Sequence, residues 1–216
     1  RYPYLKVDID STTSVANFTV CGPDQSPPVG PEASLELGAA FWPLALARAL
    51  DDAILHLRTN RPDISNWVIR VVGNGSLIRA HDDFIVRHGG DWLLREIRLY
   101  WTRVLKRLDV TSRSLIALIE AGDGCSGTLF ELALACDRIY MLDGNDSSAI
   151  SLSAMNFGRL PMANGLSRLQ TRFLGDLSRI TELRKAMGKL LSAQVADSLG
   201  LVTGIPDEID WDEEVR

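Results

Sequence analysis

Apolar positions along the chain fall into two alternating rhythms. Tyr4 to Asp10 and Ser14 to Cys21 each alternate in part between apolar and polar residues around Ser11-Thr12-Thr13, the pattern of an antiparallel hairpin. From Ala39 to Asn60 the apolar residues Leu44, Leu46, Ala49, Leu50, Ala53, Ile54 and Leu57 recur at helical spacing, and Pro43 fits a first helical turn. Asn66 to Val72 is a short apolar run and predicts a buried strand; Asp91 to Leu108 predicts a second long helix, with Trp92 and Trp101 on its core side. Ser114 to Ile119 and Arg138 to Leu142 read as further buried strands, and Thr128 to Cys136 as the helix between them. Later segments predict a strand at Ala149 to Leu152, helices at Gly165 to Phe173, Ile180 to Met187 and Ser192 to Leu199, and the start of a charged helix near the last residue. Two stretches give no regular expectation: Gly22 to Gly38, with four prolines, and Gly73 to Gly90, broken by Asn74-Gly75 and Gly89-Gly90. Asp143 to Ser148 reads as a turn. Strands alternating with helices predict an α/β fold, expected as a single domain over residues 1–216.

The unit from Ser114 to Leu142 organises the rest. Gly122, Gly124 and Gly127 sit between strand and helix, where glycines let the backbone approach a ligand closely. The first N–H groups of the helix, around Gly127 and Thr128, lack carbonyl partners inside it and carry the positive end of its dipole, so this turn suits an anion or a developing oxyanion.

Net charge is -5, from 23 basic and 28 acidic residues, with no basic run to neutralise a series of phosphates; a nucleic-acid partner is not expected. Cys21, Cys125 and Cys136 lack metal-ligand or redox spacing, which predicts a reducing, cytoplasmic setting, and no long apolar span predicts a membrane segment. The chain opens on Arg1 and stops within an acidic stretch, so a piece of a longer protein is expected.

Three segments in order resemble the crotonase (enoyl-CoA hydratase/isomerase) superfamily: Ser114 to Ile119 with the glycine turn and Glu131-Leu-Ala-Leu-Ala-Cys-Asp137; Ser151 to Pro161 followed by Asn164 to Leu169; and Ser192 to Val202. The resemblance implies a crotonase-like spiral of ββα units and a CoA thioester as substrate, with no covalently bound cofactor. It assigns Glu131 to the first acid/base glutamate and places backbone oxyanion donors at Gly127 and Thr128. Where the family has its second glutamate this chain has Ala154, and where it has a Ser/Ala-Gly-x-Asp segment this chain has Ile78 to Asp83 without the glycine. The longer glycine turn, Asn156-Phe-Gly158 and Pro206 to Trp211 narrow the resemblance to the C-terminal half of a two-half lyase. That lyase cleaves the ring of a benzoyl-CoA derivative in aerobic benzoate breakdown.

Three readings stay open: a half that packs on a catalytic N-terminal half of the same chain without turnover; an independent acyl-CoA enzyme using Glu131 and the Thr128 donor; and a domain that only makes oligomer contacts. A homo-oligomer is expected in each. The residues themselves favour a structural reading of Glu131, as a helix residue interacting with the dipole or a buried carboxylate retained for structure, because catalysis lacks a partner. Ser126 lacks the surrounding pattern of a hydrolase nucleophile, and Cys125 reads as an inert turn residue. His81, His88, Asp82, Asp83 and Asp91 match no metal-ligand spacing and predict a solvated loop; no metal is expected.

Overall fold

The computed structural model describes residues 2–144 and 148–215. Its main sheet has five strands in the order β1-β2-β3-β4-β6, formed by β1 (Leu5–Asp10), β2 (Val15–Cys21), β3 (Asn66–Val72), β4 (Ser114–Ile119) and β6 (Arg138–Met141). The β1–β2 hairpin is antiparallel, and every later pairing is parallel. A second, two-stranded parallel sheet joins β5 (Cys125–Ser126) to β7 (Ile150–Ser151). The turn expected at Asp143 to Ser148 lies partly outside the described residues.

Parallel strands need long crossovers, and helices supply them. After a short helix α1 (Pro31–Leu37), α2 (Trp42–Asn60) joins β2 to β3, while α3 (Gly75–Arg87) and α4 (Trp92–Asp109) together join β3 to β4. Helix α5 (Gly127–Leu134) follows the glycine turn and packs against β3 and β4. Beyond it come α6 (Arg168–Arg172), α7 (Leu177–Lys185), α8 (Ala193–Ser198) and α9 (Trp211–Val215). The core gathers Phe18 and Trp67 across β2 and β3, with ring centres 5.4 Å apart, and the buried faces of α2 and α4, which pack on each other.

Three expectations need correction. Gly73 to Gly90 is not a solvated loop: Asn74 caps α3, its side chain accepting from the N–H groups of Ser76 (2.9 Å) and Leu77 (3.3 Å). The Asn-Gly pair that suggests a break is therefore a helix start, and Ile78, His81, Asp82, Phe84 and Ile85 are buried along it. Within Gly22 to Gly38, Pro31 occupies a first helical turn and α1 forms. Trp92 belongs to the first turn of α4 but is 57% exposed, whereas Trp101 is buried and its indole N–H donates to Pro43 O at 2.8 Å.

Candidate functional site at the start of helix α5

The glycine turn delivers the chain into α5 with Gly127 in the left-handed region at φ +51°, a conformation that favours glycine. Ser126 stands at the N-cap, but its hydroxyl donates to Asp123 O at 2.7 Å and does not cap the helix. The cap comes from α3. Asp82 Oδ2 accepts from the Thr128 N–H at 2.9 Å and from Ser153 Oγ at 2.6 Å, and Oδ1 accepts from Thr128 Oγ1 at 2.5 Å. A side chain at position 127 would collide with Asp82 Oδ2, so Gly127 makes room for this carboxylate. Asp82 is 1% exposed, and burial pushes its carboxyl up to about 7 against the pull of the three donors.

Glu131, one turn further along α5, is fully enclosed. Its Oε2 accepts from Arg168 Nη1 at 3.0 Å and its Oε1 from Asn156 Nδ2 at 2.9 Å. Arg168 also grips Asp109, at the end of α4, through Nε (3.1 Å) and Nη2 (2.6 Å). One guanidinium thus serves two carboxylates, and its planar fork suits the bidentate half of that task. Burial pushes Glu131 above the ordinary carboxylate range, and Arg168 and Asn156 pull it back. Asn156 closes the circuit: its Nδ2 also donates to Gly127 O at 3.0 Å, and its Oδ1 accepts from Ser153 N at 2.8 Å.

The structure therefore brings Gly127, Thr128 and Glu131 onto one helix beside Asp82, Ser153, Asn156 and Arg168. Ala154 begins the 3₁₀ turn Ala154–Asn156 next to this group and offers no titratable side chain. The Ile78 to Asp83 stretch is continuous helix in α3, so its backbone N–H groups are committed to intrahelical bonds, and Asp82 reaches the site through its side chain. A cavity touching both Asp82 and Thr128 measures about 10 Å³, barely room for one water. It is walled by Trp42, Pro43, Ile85, Trp101 and Met155. A cleft of about 460 Å³ beside Tyr2, Arg48, Asp52 and Tyr100 contains none of these site residues.

Other candidates lie apart from this chemistry. Burial pushes the Cys125 thiol up to about 12, which keeps it protonated. His81 packs edge-on against Trp42, with ring centres 5.2 Å apart, and Asp91 caps α4 through the N–H groups of Leu93 and Leu94. Among the described residues no group of three or more His, Cys, Asp or Glu side chains is arranged to hold a metal ion.

Reading the sequence alone gives Asp82, Asn156 and Arg168 no role. Asn156 and Arg168 lie in segments that carry the crotonase resemblance, which was the available signal. Asp82 lies in the Ile78 to Asp83 stretch that departs from the family's Ser/Ala-Gly-x-Asp segment, and with no helix expected there its side chain could not be placed.

No protein-family model matches the chain. A benzoyl-CoA-dihydrodiol lyase of Aromatoleum evansii is 44% identical over 220 residues; the match covers all of this chain and 39% of that relative. The chain thus spans well under half the length of the curated relative it matches. Among solved structures, an enoyl-CoA hydratase from Bacillus anthracis is similar with a TM-score of 0.64 and 17% identity, over 98% of this chain and 73% of that one. An enoyl-CoA hydratase/isomerase from Xanthobacter autotrophicus Py2 gives a TM-score of 0.65 at 15% identity, over 100% and 71%. The chain has the crotonase-superfamily fold and is related over its whole length to a benzoyl-CoA-dihydrodiol lyase.

Proposed function

We propose that this chain is one crotonase-like domain of a larger benzoyl-CoA-dihydrodiol lyase, a carbon–carbon lyase acting on a CoA thioester in aerobic benzoate degradation. In this reading it is the C-terminal half. It buttresses a catalytic N-terminal half without turning over substrate itself. The observation that carries the supporting role is the state of Glu131. A general base must be free to take a proton from substrate, yet both oxygens of Glu131 are engaged by Arg168 and Asn156 inside a sealed network. The position that would supply a second carboxylate is Ala154.

The acyl-CoA would then be bound principally by the other half, and the protein would act as a homo-oligomer in the cytoplasm. Three free cysteines fit that compartment. Among the described residues no helix is long and apolar enough to cross a membrane.

The competing reading, an independent enoyl-CoA hydratase/isomerase-type enzyme, draws on the intact strand, glycine turn and helix around Gly127, Thr128 and Glu131. Kinetics separate the two. In the full-length lyase, Glu131→Gln should leave ring-cleavage turnover within a few-fold of wild type; a loss of 10²-fold or more, the size expected for a removed acid/base, would overturn the supporting role. Calorimetric titration of the 216-residue chain with benzoyl-CoA should give no saturable heat.

A further inference from the structure

Of the backbone N–H groups at the start of α5 on which an oxyanion site would depend, that of Thr128 is already held by an internal group. Asp82 contributes a carboxylate from α3, 46 residues from Thr128 in sequence, and seats both oxygens on donors of α5 and Ser153. Gly127 is shaped for that seat, since a Cβ there would collide with Asp82 Oδ2 and lie 3.0 Å from Ser153 Oγ. Among the described residues Asp82 accepts from Thr128 and Ser153, both uncharged. The carboxylate is held by neutral hydrogen-bond donors and the helix start, the arrangement that receives a small bound carboxylate.

We propose that Asp82 is the resident occupant of the oxyanion site of this domain, an autoinhibitory side chain that a ligand carbonyl or carboxylate would have to displace. The inference rests on reading the start of α5 as an oxyanion site, and it adds what closes that site. Closure works on two levels. The Thr128 N–H is satisfied internally, so an incoming carbonyl oxygen gains no unpaired donor. The adjoining cavity of about 10 Å³ leaves no space for an acyl chain while Trp42, Trp101 and Met155 stay in place.

If the seat is a carboxylate site, removing the tethered carboxylate should let a free one of matching size replace it. Asp82→Ala deletes a group the size of formate, and Asp82→Gly one the size of acetate. Melting of each variant is compared in sodium formate, sodium acetate and sodium chloride at equal ionic strength. Formate should raise the melting temperature of Asp82→Ala by roughly 2–4 °C over chloride, the shift given by a modestly bound ligand in a chain of this size. Acetate should do the same for Asp82→Gly, the wild type should not respond, and adding Ser153→Ala should weaken the response.

Variants that fold but respond to carboxylates no more than the wild type would overturn the assignment. Should neither variant fold, the wild type decides by NMR. The Thr128 amide proton should shift as the Asp82 carboxyl titrates and should resist exchange, whereas an amide indifferent to that titration and open to exchange would also overturn it. These probes contain no coenzyme A, so their outcome is independent of the kinetics of Glu131→Gln, on which the supporting role stands or falls.

Discussion

Arg168 Nη1 lies 3.0 Å from Glu131 Oε2, and each side chain is only 1% exposed. The same guanidinium holds Asp109, so removing it strands the buried Glu131 and strips the half-buried Asp109 of its ion pair. Deleting one partner of a buried pair costs more than the pair contributes, because the remaining charge has no solvent to turn to. Arg168→Met should therefore destabilise the chain by about 3–5 kcal/mol in urea denaturation. The double variant with Glu131→Gln should recover part of that loss. Additive losses would show that the two groups are uncoupled.

Asp82 sets a second expectation, in pH. Its folded-state value is raised, so the native state binds more protons than the unfolded chain between the ordinary carboxylate range and about 7. The stability it contributes is complete at low pH and is lost as pH rises through about 7, with a slope of up to about 1.4 kcal/mol per pH unit. The groups around it are Asp83 on its own helix, Arg98 across the small cavity, and Glu131 and Arg168 beyond Asn156. Glu131 and Asp109 are also raised and add to the same trend. Denaturation midpoints measured from pH 5 to 8 should fall with pH in the wild type and fall less steeply in Asp82→Asn.

Gly127 offers a test of the close approach itself. Gly127→Ala must adopt a positive φ, costing about 1–2 kcal/mol, and must also displace the Asp82 carboxylate. Its total cost in thermal or urea unfolding should exceed the backbone term alone. Against an Asp82→Ala background the excess should shrink, since the colliding oxygen is gone. An equal cost in both backgrounds would count against the contact.

The two tryptophans of α4 should part company. Trp101→Ala opens a large cavity and breaks the bond to Pro43 O, and should cost about 3–5 kcal/mol. Trp92→Ala, on the exposed end of the helix, should stay within roughly 0.5 kcal/mol. Urea midpoints of the two variants make the comparison directly.

What the sequence alone determined was everything set by neighbours a few residues apart. Period-two and period-3.6 runs marked the hairpin, β3, β4, β6, α2 and α4, and the glycine turn before Glu131 marked the crossover and the crotonase resemblance. Local rules had a blind spot at α3, where Asn74-Gly75 serves a cap as well as it serves a turn. Tertiary structure alone decided how far along α4 the cover reaches, burying Trp101 and leaving Trp92 outside, because an amphipathic pattern shows a stripe of apolar residues and not how far its neighbours extend over it. It also decided the fate of the site. Asp82 meets Thr128 across 46 positions, Arg168 meets Glu131 across 37, and Arg168 meets Asp109 across 59. The protonation and freedom of a carboxylate depend on what lies within a few ångströms of it, and here those partners come from distant parts of the chain.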